Sequence, residues 1–184
     1  MLKKYTKDSS GFSFMELMVV IAMIGILSAV ALPGILRALP EQRVKNAARN
    51  LYADMQRARM LAVKNNRTVS VRFNSSDYYI DADNDGNFNP DTADEFRRNL
   101  SEDGDVSFGS GNADKDWEDP PNSLPTSPTD TVFSSTGEAA FDSGLTRSVI
   151  LLQNQNKDVC YAVITTTFGA VQIRRFNGSG WDEQ

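Results

Sequence analysis

The feature that most constrains this chain is an apolar run that follows a glycine and carries one acid at its start. Residues 17–36 contain no charged side chain, and Ser28 is the one clearly polar residue among them. At about 1.5 Å per residue, a helix of this length crosses a hydrocarbon layer of about 30 Å. Glu16 lies one residue outside the run, where an unpaired carboxylate is costly in lipid. The pattern predicts a membrane-spanning helix with one acid at its head.

The segment Gly11-Phe12-Ser13-Phe14-Met15-Glu16-Leu17, with the apolar run behind it, resembles the type III prepilin signal of type IV pilins and type II secretion pseudopilins. The resemblance implies that a membrane-bound prepilin peptidase cleaves between Gly11 and Phe12 and methylates the new amino terminus on Phe12. It also implies that Glu16 is the family's acid needed for assembly, and that Pro33 is the proline that loosens the helix.

An ordinary secretory signal is the alternative interpretation of the same stretch. Lys3, Lys4 and Lys7 make a positive start, and Ala29-Val30-Ala31 fits a small-residue cleavage site. The mature chain would then begin near Leu32 and would be a secreted calcium-binding or adhesive module. The length of the apolar run and the presence of Glu16 favour the prepilin interpretation.

The sequence divides into four parts, assigned as a leader at 1–11, a transmembrane half-helix at 12–36, an amphipathic half-helix at 37–66 and a β-rich domain at 67–184. Pro33 and Pro40 each remove a backbone donor, which predicts a bend or a local loss of helix between the two halves, or a new helix opening at Pro40-Glu41. Asn65-Asn66 is the predicted end of the helix. The amphipathic half has an apolar stripe at spacings of three and four, formed by Val44, Ala47, Ala48, Leu51, Met55, Ala58 and Ala62. Polar residues, Asp54 among them, are assigned to the other faces.

Short alternating segments separated by turn residues predict strands from Thr68 onward. A hairpin is expected over 68–80, and further strands are expected at 131–133, 139–141, 148–152, 159–164 and 171–173. A long helix that covers several strands makes an α+β fold. Phe133-Ser134-Ser135-Thr136-Gly137 and Gly169-Ala170-Val171 resemble the H-type pseudopilin (GspH) and FimT-like minor pilin branch.

Residues 101–130 are rich in Gly, Pro, Asp, Ser and Asn, with prolines at Pro120, Pro121, Pro125 and Pro128. Proline excludes a regular helix or a central strand, so a long exposed loop is expected. Such a loop either distinguishes neighbouring subunits or is a tolerated insertion.

The composition argues against an enzyme. The chain has no histidine, which removes the commonest general base and the commonest zinc ligand. Cys160 is the sole cysteine, lies in an apolar strand and is expected to be a buried thiol. The net charge of −5 disfavours general binding to polyanions.

Three acids at alternate positions, Asp81, Asp83 and Asp85, precede Gly86 and resemble the start of a calcium loop. Thr92 stands where an EF-hand requires a bidentate acid, and Asp91, Asp94 or Glu95 could replace that ligand in a differently folded loop. Calcium is therefore the one cofactor candidate, and an exposed, solvated turn is the alternative.

Arg174-Arg175, near Phe176 and Trp181, is a second candidate site, in which cations beside aromatic rings would contact nucleic-acid backbone. FimT-like minor pilins are associated with DNA uptake. A solvated edge strand is the simpler interpretation, since Asp182 and Glu183 dilute the positive charge.

Together these patterns predict a minor pseudopilin of a type II secretion system, with other pseudopilins, prepilin peptidase and, before assembly, inner-membrane lipid as its partners. The expected topology is single-pass, with the leader in the cytoplasm and the larger domain in the periplasm. A FimT-like minor pilin of a type IV pilus, with DNA as a partner, is the alternative on the same fold.

Overall fold

A computed structural model describes residues 12–92, 94–113, 124–125, 127–141 and 145–183. They form two compact units that meet between Leu39 and Pro40. The first unit is helical, and the second contains the rest of the same helix and all the strands. The helix is α1 (Phe14–Asn65), and the strands are β1 (Val69–Phe73), β2 (Asp77–Asp81), β3 (Phe96–Asn99), β4 (Val106–Phe108), β5 (Thr131–Phe133), β6 (Ala139–Phe141), β7 (Arg147–Asn154), β8 (Cys160–Thr166), β9 (Val171–Phe176) and β10 (Trp181–Glu183).

Helical backbone continues without interruption through both prolines of α1. The predicted local loss of helix, and the alternative of a new helix opening at Pro40, are therefore wrong. The predicted end is confirmed, because α1 ends at Asn65 and Asn66 adopts a left-handed backbone with φ of 49°. Asparagine tolerates this conformation better than most residues do.

The strands form two five-stranded antiparallel sheets. The first has the order β3-β2-β1-β5-β6 and the second has the order β10-β9-β8-β7-β4. The predicted hairpin is confirmed, since β1 pairs with β2 and Phe73 lies opposite Tyr78. The described residues thus combine one long α-helix and a short 3₁₀ helix at Leu100–Asp103 with two antiparallel sheets, and the α+β class is confirmed.

The core of the second unit lies between the helix stripe and both sheets. All seven apolar residues of the predicted stripe are fully buried and belong to one cluster with side chains of both sheets. A smaller cluster, which includes Cys160 and Ile164, covers the other face of the second sheet. The stripe is thus the part of the helix that packs against both sheets.

Two structural expectations need correction. The segment 101–130 is not wholly an exposed loop, because it contains β4 and the buried side chains of Val106 and Ala113. The sequence assigns Asp54 to a polar face because it is charged, yet it is only 7% exposed. The sequence pattern also did not predict strands β3 and β10, because both are short and rich in charged residues.

Candidate functional site

The helix begins close to the predicted processing point, and cleavage at that point stays a prediction. Phe12 is the first residue that the structure describes and is 81% exposed, and α1 begins two residues later at Phe14. Gly11 lies outside the described residues. Cleavage before Phe12 would leave the entire helix on the mature chain.

The apolar part of α1 is long enough to cross a membrane. The segment Phe14–Leu36 has the length and composition of a span, and none of its most apolar stretch is buried against the protein. Many of its large apolar side chains are exposed, including those of Met15, Ile26 and Val30. Apolar surface of this extent requires lipid or another protein to cover it.

Glu16 lies in the first turn of α1, where the amide groups at a helix start favour a negative charge. The Leu17 amide nitrogen donates to the Ser13 carbonyl oxygen at 3.1 Å, which closes that first turn. Among the described residues, no cation lies within ion-pair distance of Glu16. The predicted assembly acid is therefore exposed, with no compensating charge in the described part of the protein. Pro33, the second predicted assembly residue, lies inside the helical backbone.

The Asp81 carboxylate organises the turn that follows β2. It is fully buried, and its Oδ2 accepts from Arg72 Nε at 2.7 Å and from the Gly86 amide at 3.0 Å. Its Oδ1 accepts from the Asp85 amide at 3.1 Å. Hydrogen bonding to Asp81 raises the pKa of the Arg72 guanidinium, against the opposing effect of burial. Asp81 is thus held by three donors within the protein.

The structure brings together a set of carboxylates that differs from the predicted one. Oxygen atoms of Asp81, Asp83 and Glu95 lie within 4.8 Å of one another. Asp85 does not belong to this group, and its Oδ1 accepts from the Asn87 amide at 2.7 Å. Glu95 is one of the three acids that the sequence offers as a substitute ligand, and it reaches the turn from the residue before β3. The hypothesis of a calcium site stays a prediction, with Glu95 in the place assigned to Asp85.

Both arginines of the predicted nucleic-acid patch face carboxylates. Arg175 Nη2 lies 2.7 Å from Glu41 Oε1 on α1, and Arg174 Nη2 lies 3.9 Å from Glu183 Oε2 on β10. Because each cation has an acidic neighbour, the pair offers less positive potential than the sequence suggests. DNA binding at this pair remains a prediction.

Cys160 is fully buried, as predicted. Burial raises the pKa of the thiol to about 12, since the thiolate would lose its hydration. The group is therefore protonated at neutral pH and is a poor nucleophile.

A polar cluster that the sequence did not reveal joins the helix to the first sheet. The Asp54 carboxylate accepts from the Tyr78 hydroxyl at 2.7 Å and from Arg98 Nε at 3.1 Å. Burial and the neighbouring Asp54 charge raise the pKa of Tyr78. The tyrosine thus remains a neutral donor.

Comparison with known families identifies the class and then the family. The prokaryotic N-terminal methylation motif matches residues 6–32. With the exposed apolar helix and the helix-and-sheet domain behind it, this match defines a membrane-anchored, type IV pilin-like protein. The family described as Type II transport protein GspH matches residues 47–169. The chain belongs to the GspH family, whose members are structural pseudopilins rather than enzymes. No match was found among curated proteins or among solved structures.

Proposed function

We propose that this chain is a minor pseudopilin of a type II secretion system. Prepilin peptidase cleaves it between Gly11 and Phe12 and methylates Phe12. The mature chain is held in the inner membrane by residues 12–36, with its larger domain in the periplasm, until it joins the periplasmic pseudopilus that drives protein export.

The observation that carries this proposal is the solitary acid at the head of an exposed apolar helix. Glu16 follows Phe12 by four residues, so both lie at the same end of α1. In a filament of packed helices, the Glu16 carboxylate of one subunit pairs with the Phe12 ammonium of its neighbour. That pairing compensates a charge that is costly when it is buried alone. The methylation motif matches residues 6–32, which supports the interpretation that this end of the chain is the element used in assembly.

The experiment is to express Glu16→Ala, Glu16→Gln and Glu16→Asp variants and to compare cleavage, membrane association and filament incorporation. Cleavage and membrane association should persist in all three, because the apolar span is unchanged. Incorporation should fall strongly in the alanine and glutamine variants and partly recover in the aspartate variant, which keeps the charge. Normal incorporation of Glu16→Gln would refute the pairing.

Mass spectrometry of the membrane-extracted protein tests processing separately. A mature chain that starts at a methylated Phe12 supports the proposal. A start near Leu32 would instead support a conventional signal and a secreted module.

A FimT-like minor pilin remains the alternative, and gene neighbourhood separates the two machines. A gel shift adds a biochemical test, using the full processed chain in detergent. Salt-sensitive binding of DNA that is lost in an Arg174→Ala and Arg175→Ala double variant would favour the pilus. The acidic neighbours Glu41 and Glu183 weigh against that outcome.

A further inference from the structure

A groove of about 470 Å³ opens between α1 and β9 in the second unit. Its walls include Lys45 and Arg49 from the helix, Tyr161 from β8, and the first half of β9 over Val171–Ile173. We call this feature the β9 groove. It is large enough for several side chains of a bound peptide, and no residue of the Asp81 turn lines it.

The strand edge beside the groove is only partly covered. β10 pairs with Arg174–Phe176 of β9, so among the described residues Val171–Ile173 has a strand partner on the β8 side alone. The Thr166 amide donates to the Ala170 carbonyl, so the backbone polar groups of Ala170 point toward β8. Because this orientation alternates along an antiparallel strand, those of Gln172 also point toward β8. The backbone N–H and C=O groups of Val171 and Ile173 therefore point away from β8, toward the open edge of the sheet. An edge of this kind is a template for an added strand.

The groove is also positively charged, although the whole chain is acidic. Neither Lys45 nor Arg49 has an ion-pair partner among the described residues. Glu183 is the acid among the lining residues, and it lies 3.9 Å from Arg174. The two helix cations are thus available to an acidic ligand.

A buried hydroxyl supplies an independent indication of a ligand. Tyr161 is only 1% exposed, and its hydroxyl has no hydrogen-bond partner among the described residues. Buried polar atoms are nearly always paired, because leaving one unpaired costs free energy. A carboxylate in the groove would accept this hydrogen bond between the two helix cations.

We propose that the β9 groove binds an extended, acidic segment of a partner protein, which adds as a strand along Val171–Ile173. Its backbone pairs with the outward groups of Val171 and Ile173. Its acidic side chains face Lys45 and Arg49, and one carboxylate accepts from the Tyr161 hydroxyl. The apolar side chains of Val171 and Ile173 favour alternate apolar residues in that segment. This inference does not depend on the filament assignment, which names no surface of the larger domain.

The test uses the full processed chain in a non-ionic detergent and a fluorescein-labelled peptide in which glutamate alternates with valine. Fluorescence anisotropy should detect saturable binding that weakens as salt is added. A peptide with lysine in place of glutamate should not bind. Equal binding of both peptides would overturn the proposal.

Charge reversal on the protein provides the matched comparison. The Lys45→Glu and Arg49→Glu double variant should raise the dissociation constant of the acidic peptide at least about tenfold. The Lys64→Glu and Arg67→Glu double variant makes the same change in charge at exposed positions away from the groove, and it should bind normally. Equal affinities for the two variants would refute the site.

Two further measurements address the strand geometry and the hydroxyl. N-methylation of alternate peptide amides should abolish binding for the set that faces β9 and spare it for the other set. Tyr161→Phe should weaken binding several-fold while leaving thermal stability unchanged or higher, because it removes an unpaired buried hydroxyl. Equal effects of the two methylation patterns, or destabilisation by Tyr161→Phe, would contradict the proposal.

Other occupants give distinct results. Oligothymidylate that binds more tightly than the peptide, with the same dependence on Lys45 and Arg49, would make the groove a nucleic-acid site instead. Concentration-dependent self-association that is lost in the Lys45→Glu and Arg49→Glu variant would assign it to a second copy of this chain. Either outcome would overturn the proposed occupant.

Discussion

Arg59 on the helix donates through Nε to the carbonyl oxygen of Gly137 over 2.9 Å. Its Nη2 donates to the carbonyl oxygen of Phe168 at 3.3 Å. Gly137 lies in the β5–β6 turn of the first sheet, and Phe168 lies in the β8–β9 turn of the second. One side chain of α1 therefore joins the ends of both sheets.

Replacing Arg59 should destabilise the larger domain. Arg59→Ala should lower the free energy of unfolding by about 1–3 kcal/mol, because it removes two charge-assisted hydrogen bonds. The free energy of unfolding of Arg59→Lys should lie between those of Arg59→Ala and the parent, because lysine keeps the charge but lacks the planar set of N–H donors of arginine. Urea unfolding followed by circular dichroism measures the effect. Lys64→Ala, at an exposed position in the last turn of α1, should change stability by less than about 0.5 kcal/mol. Equal stability of Arg59→Ala and the parent would show that the two turns do not need this link.

The apolar pattern was sufficient to predict most of the fold. The spacing of Val44, Leu51 and Met55 indicates which helix face is buried, and all three are fully buried. Alternation and turn residues predicted the hairpin of β1 and β2 for the same reason, since each strand has a buried face. Helical backbone at Pro40 could not be predicted from local chemistry, because proline inside a helix is costly and is expected to interrupt it.

Asp54 shows where counting polar residues fails. It lies three residues after Leu51 and four before Ala58, which is the spacing of the stripe itself. The pattern thus contained the signal, but an acid on an apolar stripe is interpreted as exposed unless its partners are known. Tyr78 and Arg98 come from strands far along the chain, and the sequence alone does not bring them to Asp54.

Asp54→Asn should destabilise the protein more than a comparable change at the surface. The amide keeps an acceptor but loses the charge that holds the Tyr78 hydroxyl and Arg98, at a cost of about 2 kcal/mol. Asp105→Asn is the matched control, since Asp105 forms an exposed ion pair with Arg43 at 3.6 Å. That control should cost less than about 0.5 kcal/mol. Similar unfolding midpoints for the two variants would mean that the Asp54 cluster contributes no more than a surface pair.

Alkaline pH should destabilise the protein partly through Cys160. The pKa of the thiol is raised from about 9 to about 12 by burial, so between these values the unfolded chain releases a proton that the folded chain retains. The free energy of unfolding therefore falls as pH rises through this window. The destabilisation caused by Cys160→Ala, relative to the parent, should be about 2 kcal/mol smaller at pH 11 than at pH 8. Unfolding in urea at the two pH values measures the difference.

Tyr78 and Tyr161 also have raised pKa values, but both residues are present in parent and variant. Their contributions cancel when the two proteins are compared at the same pH. A thiol reagent gives a second check, because Cys160 should react only after urea is added. Rapid reaction of the folded protein at pH 8 would contradict a buried, protonated thiol.

The candidate metal site shows what spacing alone leaves undetermined. Alternation selected Asp81, Asp83 and Asp85, whereas the fold leaves Asp85 outside the group and brings Glu95 from a later segment. The path of the loop between β2 and β3 determines that Glu95, rather than Asp85, lies near Asp81. The sequence offered Glu95 as an acid near the turn, but not its approach to Asp81.

The calcium hypothesis therefore leads to a specific prediction about Asp85 and Glu95. Oxygen ligands from Asp81, Asp83 and Glu95 repel one another without a cation, so calcium at millimolar concentration should raise the midpoint of thermal unfolding. Asp85→Asn should retain that rise, and Glu95→Gln should abolish it, although both remove one negative charge from the same turn. Magnesium should have a smaller effect, because it usually keeps its waters and uses few protein carboxylates. An equal rise in both variants would reflect general screening of acidic charge. No rise in the parent would leave Asp81 with the role that its contacts with Arg72 and Gly86 already describe, which is to hold the turn closed without metal.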